Sequence, residues 1–187
     1  MRDDIEINEL LKMHLCTLRK ASKDNNRDEY MTESKIKVVN FDKMPKEYCK
    51  RMKVKNLPCS NDALYVSKDN VWYFIEFKNG SVDTAEIYRK FYDSILILLE
   101  MGVIPDLQFA REHIIFILVY NSKKYPTNKI SLGREQTYKF IRKRAEEEQK
   151  LFNVYKFENY LCKEAHTYSK ETFHEKFTEQ MEQEELA

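Results

Sequence analysis

Glycine and proline are scarce in this chain, with only three glycines and four prolines among 187 residues. Phosphate-binding loops and dinucleotide-binding fingerprints need several glycines close together, whereas Gly80, Gly102 and Gly133 lie far apart. The sequence therefore excludes both of these nucleotide-binding motifs.

Cysteine is also sparse, and its spacing indicates no metal centre. The four cysteines form no C-x-x-C pair and no histidine cluster accompanies them: Cys16, Cys49, Cys59 and Cys162. We therefore expect reduced thiols and no zinc site. No apolar run approaches the roughly 18 residues of a membrane span, and residues 1–4 do not resemble a secretory signal. These features predict a cytoplasmic protein without a membrane segment.

Neither sign of charge is in excess, because 32 basic and 31 acidic residues leave a net charge of +1. Binding to a polyanion would therefore depend on local basic patches. The strongest patches are residues 50–55 and 142–144, and acidic residues 146–148 dilute the second. Both patches are also typical of ordinary solvated surface.

The chain has enough apolar surface to fold, since hydrophobic residues make up 42% of it. At this length we expect a single domain over residues 1–187. Hydrophobic spacing predicts a helix over residues 4–20, strands over 35–41, 62–66 and 71–77, a helix from Ser81 to about 101, and a strand over 114–120. A charged helix over 133–152, a strand over 154–161 and a last helix from Ser169 follow.

The strand ending near residue 78 changes from apolar to ionic along one face. Alternate residues of a strand share a face, so Phe74, Glu76 and Lys78 point the same way. If the hairpin turns about Asp69, residues whose numbers sum to 138 pair across it, and Asp62 faces Glu76. Such a pair has Cβ atoms about 4.5 to 5.5 Å apart. Two ionised carboxylates this close repel each other unless a cation lies between them.

A divalent cation would account for this pair of acids. Mg2+ favours oxygen ligands and usually takes one or two protein carboxylates, with water and substrate phosphate completing its shell. Lys78, on the same face, could hold the attacking water or stabilise charge that develops on the phosphate. The residue types therefore indicate metal-assisted phosphodiester hydrolysis.

This arrangement resembles the PD-(D/E)XK nuclease superfamily, which has an acidic residue on the second strand of its core and Glu-x-Lys on the third. Asp62, Glu76 and Lys78 fall on these positions, and Asn61 stands where the family has its proline. The resemblance covers residues 4–121. It implies an α/β fold with a restriction-endonuclease-like α-β-β-β-α-β core, whose mixed central sheet is flanked by helices. Residues 130–187 would then form C-terminal helical additions.

The resemblance also implies a function. Asp62 and Glu76 would bind Mg2+ or Mn2+, Lys78 would assist catalysis, and Lys90 on the following helix would contact a phosphate of the DNA or RNA substrate. Glu6 and Glu9 could approach the metal, although solvated surface is the simpler interpretation and they are not assigned to the site. A homodimer or a protein partner remains open.

Two other interpretations stay open beside the nuclease. A nuclease-like fold that no longer cuts could serve as a binding module, for example an immunity or defence-associated protein. Alternatively, Glu76 and Lys78 form a strand-end ion pair and Asp62 is a turn residue; an exposed pair of this kind contributes about 0 to 1 kcal/mol and needs no function.

Overall fold

The computed structural model of the chain describes residues 9–123 and 151–186. Within these ranges a six-stranded mixed sheet is flanked by helices. Its strands are β1 (Leu15–Thr17), β4 (Lys37–Asn40), β5 (Ala63–Val66), β6 (Trp72–Lys78), β7 (Ile114–Tyr120) and β8 (Glu164–Ser169). A separate two-stranded hairpin consists of β2 (Lys23–Asp24) and β3 (Glu29–Tyr30).

Seven α-helical segments surround these strands in the described ranges. They are α1 (Glu9–Lys12), α2 (Leu18–Ala21), α3 (Met44–Met52), α4 (Thr84–Glu100), α5 (Leu107–His113), α6 (Lys170–Phe173) and α7 (Glu179–Leu186). Short 3-10 segments cover Phe41–Lys43 and Leu151–Phe157, and a π-helical turn, His174–Thr178, joins α6 to α7.

The sheet has the strand order β1-β4-β5-β6-β7-β8. The first four strands pair antiparallel, whereas β6, β7 and β8 run parallel to one another. The chain leaves β6, forms α4 and α5, and returns as β7 beside β6, which is the crossover that a parallel pair requires. The described sheet is therefore a meander extended by two parallel strands.

The β5–β6 hairpin has the register that the sequence predicts. Ala63 pairs with Ile75 and Leu64 pairs with Phe74, so paired residue numbers sum to 138. The turn includes Asn70 at a φ of 59°, a left-handed conformation that asparagine tolerates better than most residues. The predicted pairing is confirmed, and it sets Asp62 opposite Glu76.

Apolar side chains cover both faces of the sheet. One face packs against α4 and carries Val39, Leu64, Trp72, Phe74 and Phe116. The other face carries Val38, Ala63, Ile75 and Ile117, and it packs against the C-terminal helical segments through residues such as Phe173 of α6. All seven residues of β7 are buried, as expected for a parallel strand enclosed on both faces. The side chains of β6 therefore alternate as predicted, with Trp72 and Phe74 on one face of the sheet and Ile75 on the other.

Helix α4 places a predicted apolar stripe on the sheet. Ile87, Phe91, Ile95 and Leu98 are all buried. The predicted cap at Ser81 is wrong by two residues, because Asp83 Oδ1 accepts hydrogen bonds from the backbone N–H groups of Ala85 and Glu86. An aspartate here satisfies the free N–H groups and also suits the helix dipole.

The N-terminal prediction is wrong in its type of structure. The segment predicted as one helix over residues 4–20 contains α1, β1 and α2 within the described residues. β1 pairs antiparallel with β4, with Leu15 opposite Val39, so sheet pairing outweighs the helical spacing of the leucines. The polar stretch after it forms the β2–β3 hairpin, for which no strands are predicted.

The C-terminal prediction also needs correction. Leu151–Phe157 is a 3-10 segment, in which Phe152 and Asn153 have positive φ values, rather than the start of a strand. The strand lies further along, as β8, and pairs parallel to β7. The C-terminal region therefore completes the sheet and is not only a helical addition. The predicted helix from Ser169 is confirmed, with Ser169 as its N-cap; most of the predicted helix over 133–152 lies outside the described residues.

Phe91 joins α4 to the centre of the core. Its ring centroid lies 5.8 Å from that of Phe74, 4.6 Å from that of Phe116 and 4.9 Å from that of Phe157. Because this side chain is fully buried, we expect Phe91→Ala to lower the free energy of unfolding by about 3 to 5 kcal/mol. Urea unfolding measures the change. Leu96→Ala, on the exposed side of the same helix, is the matched control, and equal losses in both variants would contradict this packing.

Candidate active site at the end of the β5–β6 hairpin

The structure brings the three predicted site residues together at one end of the sheet. Glu76 and Lys78 lie in the last three residues of β6, and Asp62 immediately precedes β5. Lys78 Nζ lies 3.3 Å from Glu76 Oε1 and 2.9 Å from Glu86 Oε1 on α4. The side chain of Glu76 is fully buried, whereas those of Asp62 and Lys78 are 15% and 13% exposed. The predicted convergence of two acids and an amine is therefore present.

Lys90 of α4 lies between the two acids. Its Nζ is 2.7 Å from Glu76 Oε1 and 3.3 Å from Asp62 Oδ1. One ammonium group therefore contacts both carboxylates and offsets their mutual repulsion. The sequence predicts a phosphate contact for Lys90; the structure adds that this lysine pairs directly with the acids.

Neutral hydrogen bonds fix the second oxygen of each carboxylate. The backbone N–H of Phe77 donates to Asp62 Oδ2 at 2.7 Å, and Asn61 Nδ2 donates to Glu76 Oε2 at 3.3 Å. Asn61 is itself fully buried, with its backbone N–H donating to Ser94 Oγ. Its Oδ1 atom has no hydrogen-bond partner, although it is shielded from solvent. A buried acceptor without a donor is rare in folded proteins.

Burial and the proximity of like charges raise the pKa values of Glu76 and Asp42. Desolvation and the neighbouring Asp62 raise the pKa of Glu76 to about 7. Desolvation and Asp62 also raise the pKa of Asp42, although water screens this effect because the Asp42 side chain is exposed. Burial opposes the charge on Lys90, but Asp62 and Glu76 outweigh it and raise the lysine pKa. The cluster therefore holds a firmly cationic lysine against Glu76, whose ionisation is opposed by its burial.

The donor set suits a hard divalent cation. Asp62 Oδ1 and Glu76 Oε1 both contact a single cation already, namely the Lys90 ammonium group. In residues 9–123 and 151–186, no three His, Cys, Asp or Glu side chains are grouped closely enough to form a metal site by themselves. Mg2+ needs only one or two protein carboxylates when water and phosphate supply the remaining ligands. Asp62 and Glu76 therefore fit such an ion if the Lys90 ammonium moves away.

Asp62 lines a polar groove of about 570 Å3, whereas the fully buried Glu76 is not among the residues that line it. Asp42, Asp62, Lys78 and Lys90 line one part of it, and residues 21–27 around β2 line the opposite part. Sequence reasoning missed Asp42, because it lies in a 3-10 turn with no motif around it. It also missed the hairpin wall, because a short polar segment gives no periodic signal.

Comparison of this chain with protein-family models, with curated proteins and with solved structures gives no match. Its function must therefore be argued from the geometry of the cluster. In the part of the chain that the structure describes, no helix is both long enough and apolar enough to cross a bilayer.

The other predicted candidates lie away from the acids or outside the described residues. Glu9 lies on α1, where it pairs with Lys12 at 3.3 Å and remains exposed. Residues 50–55 lie at the end of α3 and just after it, and none of them lines the polar groove. Glu6 and residues 142–144 lie outside the described residues.

The raised pKa of Glu76 predicts a pH dependence of stability. The folded protein holds this proton more tightly than the unfolded chain, in which the pKa is near the ordinary value of 4.5. The stabilising contribution is therefore complete below pH 4.5 and is lost as the pH rises towards 7. We expect Glu76→Gln to flatten the decline in unfolding free energy across this window, measured by urea unfolding in EDTA. Glu86→Gln is the control, and an unchanged slope in Glu76→Gln would contradict the assignment.

Proposed function

We propose that this chain is a metal-dependent nuclease of the PD-(D/E)XK type that hydrolyses phosphodiester bonds of DNA or RNA. One observation carries the proposal: the β5–β6 register brings Asp62 and Glu76 to one cation, with the amine of Lys78 within 3.3 Å of Glu76. Two acids and a lysine in this arrangement supply the groups that metal-assisted phosphoryl chemistry needs.

The order of the elements supports the same proposal. Helical segments and the short strands β1 to β3 precede β4, the antiparallel strands β4, β5 and β6 follow with α3 between β4 and β5, and α4 and α5 lead to the parallel strand β7. With β1 to β3, α3 and α5 as insertions, this order is compatible with a restriction-endonuclease-like α-β-β-β-α-β core. In the family pattern the acids belong to the second and third core strands, and here Asp62 adjoins β5 and Glu76 lies on β6.

The proposed chemistry assigns a task to each side chain. When bound, a divalent cation would polarise a phosphoryl oxygen and lower the pKa of the attacking water. Asp62 and Glu76 hold that cation, and Asn61 orients Glu76 by donating to its second oxygen. Lys78 pairs with Glu86 and lines the groove, where it can position the water or stabilise the charge on the phosphate.

Lys90 has a second task in this proposal. Its ammonium group occupies the space between the acids, so a divalent cation must displace it. Once displaced, it remains in the groove that Asp62 lines, where it is available to a phosphate oxygen. The proposed partner is therefore nucleic acid. The location that goes with the proposal is the cytoplasm.

A cleavage assay tests the proposal. Purified protein is incubated with plasmid DNA, linear DNA and RNA, with Mg2+, Mn2+ or EDTA. Cutting is expected only with the metals, and Lys78→Ala is expected to lower the rate by about 10²- to 10³-fold because it removes one charged group from the transition state. Glu76→Ala should abolish cutting, since the metal loses a ligand.

Lys156→Ala serves as the matched control for Lys78→Ala, because Lys156 is an exposed lysine that does not line the groove. It should cut at the wild-type rate. Cutting that persists in Glu76→Ala and Lys78→Ala would refute the assignment, because the activity would then come from another site or a contaminant.

A nuclease-like module that no longer cuts is the second candidate, and one observation favours it. Lys90 already offsets the charge of Asp62 and Glu76, so the cluster is electrostatically satisfied without a metal. Calorimetry with Mn2+ separates the two candidates. A nuclease should bind Mn2+, lose binding in Glu76→Gln and bind more tightly in Lys90→Met, which removes the competing ammonium group. A module without a metal site should release no binding heat in any of these proteins.

A further inference from the structure

The β2–β3 hairpin forms one wall of the polar groove and is held firmly in place. The Arg19 guanidinium stacks 3.5 Å above the ring centroid of Tyr30, and Lys170 Nζ donates to the backbone oxygen of Tyr30 at 3.0 Å. Asn79, just after β6, donates to Asp24 Oδ2 and Glu29 Oε2 at 3.1 and 2.6 Å. The hairpin is therefore tied to the same strand end that carries the acids.

Arg27, in the turn of this hairpin, is oriented into the groove. Its Nη1 donates to Asp24 Oδ2 at 3.0 Å, and its side chain is 47% exposed. Asp24 in turn receives a hydrogen bond from Asn79, whose Oδ1 accepts one from Asn121. A guanidinium group has five N–H donors, so a single carboxylate oxygen leaves most of its capacity for an anion. Arg27 is therefore a preorganised anion-binding group in the wall of the groove.

Gly80 makes room for this arginine. A Cβ atom built on Gly80 would lie 3.0 Å from Arg27 Nη1 and 3.3 Å from Nη2. The backbone of Gly80 does not have the positive φ that would itself require glycine. The missing side chain therefore allows the guanidinium group to lie close to the end of β6.

The shape of the groove limits what can reach the acids. Glu76 is fully buried, and Asp62 and Lys90 are 15% and 18% exposed, so the reacting phosphate must enter the groove. A cavity of about 570 Å3 is of the size that takes a small ligand. The phosphates of a duplex are held on a stiff helix, so they reach such recessed groups less easily than the phosphates of a flexible single strand.

The lining also shows which part of that strand is recognised. In the part of the chain that the structure describes, the groove residues are charged or amide-bearing for the most part, and Phe77 is the single aromatic residue among them. Stacking platforms for bases need several aromatic rings, whereas Lys and Arg side chains bind phosphates. The groove therefore suits the sugar–phosphate backbone rather than a particular base.

The geometry points to a single-stranded nucleic acid as the ligand, with Arg27 binding a backbone phosphate beside the phosphate that lies over Asp62 and Glu76. This inference rests on the proposed function, because that function supplies nucleic acid as the ligand. It adds a strandedness and a binding residue, and it makes Arg27 a binding residue that does not touch the reacting phosphate.

Fluorescence anisotropy in EDTA tests the inference without cleavage. The probes are labelled single-stranded DNA, single-stranded RNA, duplex DNA of the same sequence and a labelled mononucleotide. We expect a single strand to bind more tightly than the duplex and the mononucleotide. Arg27→Gln should weaken single-strand binding about tenfold, the loss expected for one charge-assisted contact. The slope of log Kd against log salt should fall by about 0.7 for the lost phosphate contact.

Arg89→Gln is the matched control, since Arg89 is an exposed arginine on α4 that lies outside the basic patches and does not line the groove. It should bind single strands like the wild type. Equal losses in both variants, tighter binding of the duplex, or full binding by the mononucleotide would overturn the inference. Circular dichroism melting of Arg27→Gln verifies that the variant is folded, as expected for a half-exposed side chain.

Cleavage assays on the same proteins distinguish this inference from the proposed function. If single strands bind through Arg27 but no metal supports cutting, the proposed nuclease activity is refuted and single-strand binding in the groove is supported. If the protein cuts with Mg2+ while Arg27→Gln binds and cuts like the wild type, the role of Arg27 in binding is refuted and the proposed nuclease activity is supported.

Discussion

A fully buried carboxylate, Glu76, is the constraint on which the rest of this structure depends. An ionised acid cannot be removed from water without a partner, and here the Lys90 ammonium lies 2.7 Å from Glu76 Oε1. Lys90 reaches that position because α4 lies on the sheet through Ile87, Phe91, Ile95 and Leu98. The apolar packing of the helix and the ionic cluster therefore fix each other: a rotation of α4 about its axis would both expose the stripe and separate the charges.

A buried ionic cluster of this kind is not an efficient way to stabilise a fold. Replacing a buried ion pair by well-packed apolar side chains is often neutral or stabilising. Moreover, Asn61 Oδ1 is left without a donor in the same region. Groups whose pKa values are shifted by burial and by specific charge partners are concentrated at functional sites more than elsewhere. This physical cost, together with the groove above the acids, supports a chemical role for Asp62 and Glu76 rather than an ion pair at a strand end.

The sequence predicts well wherever a single periodic pattern determines the structure. The alternation along residues 71–78 and the uninterrupted apolar run at 114–120 predict β6 and β7, and the turn at Asp69 predicts the pairing of β5 with β6. These features also place Asp62 opposite Glu76. The position of Lys90 between the acids is beyond such reasoning, because it depends on how deeply α4 packs.

Prediction fails where distant pairing overrides local spacing. Leu15 and Leu18 have helical spacing, yet Leu15 belongs to β1 because β4 offers a partner for its backbone. In the same way, residues 154–161 are apolar enough for a strand, but positive φ at Phe152 and Asn153 turns the chain, and Glu164–Ser169 pairs with β7 instead. The wall of the groove formed by residues 21–27 belongs to the β2–β3 hairpin, which is held by contacts to Asn79 and Lys170 that no local pattern contains.

The position of β8 at the border of the sheet has a consequence for how the molecule is made. All of the groups in the ionic cluster are synthesised before residue 121, but β7 receives its outer neighbour only when Glu164–Ser169 has left the ribosome. Until then, a seven-residue apolar strand presents unpaired N–H and C=O groups, which is the kind of edge that recruits strands from other chains. This edge of β7 is therefore exposed to pairing with other chains in the interval between the synthesis of the two strands, and the pairing of β8 ends that exposure.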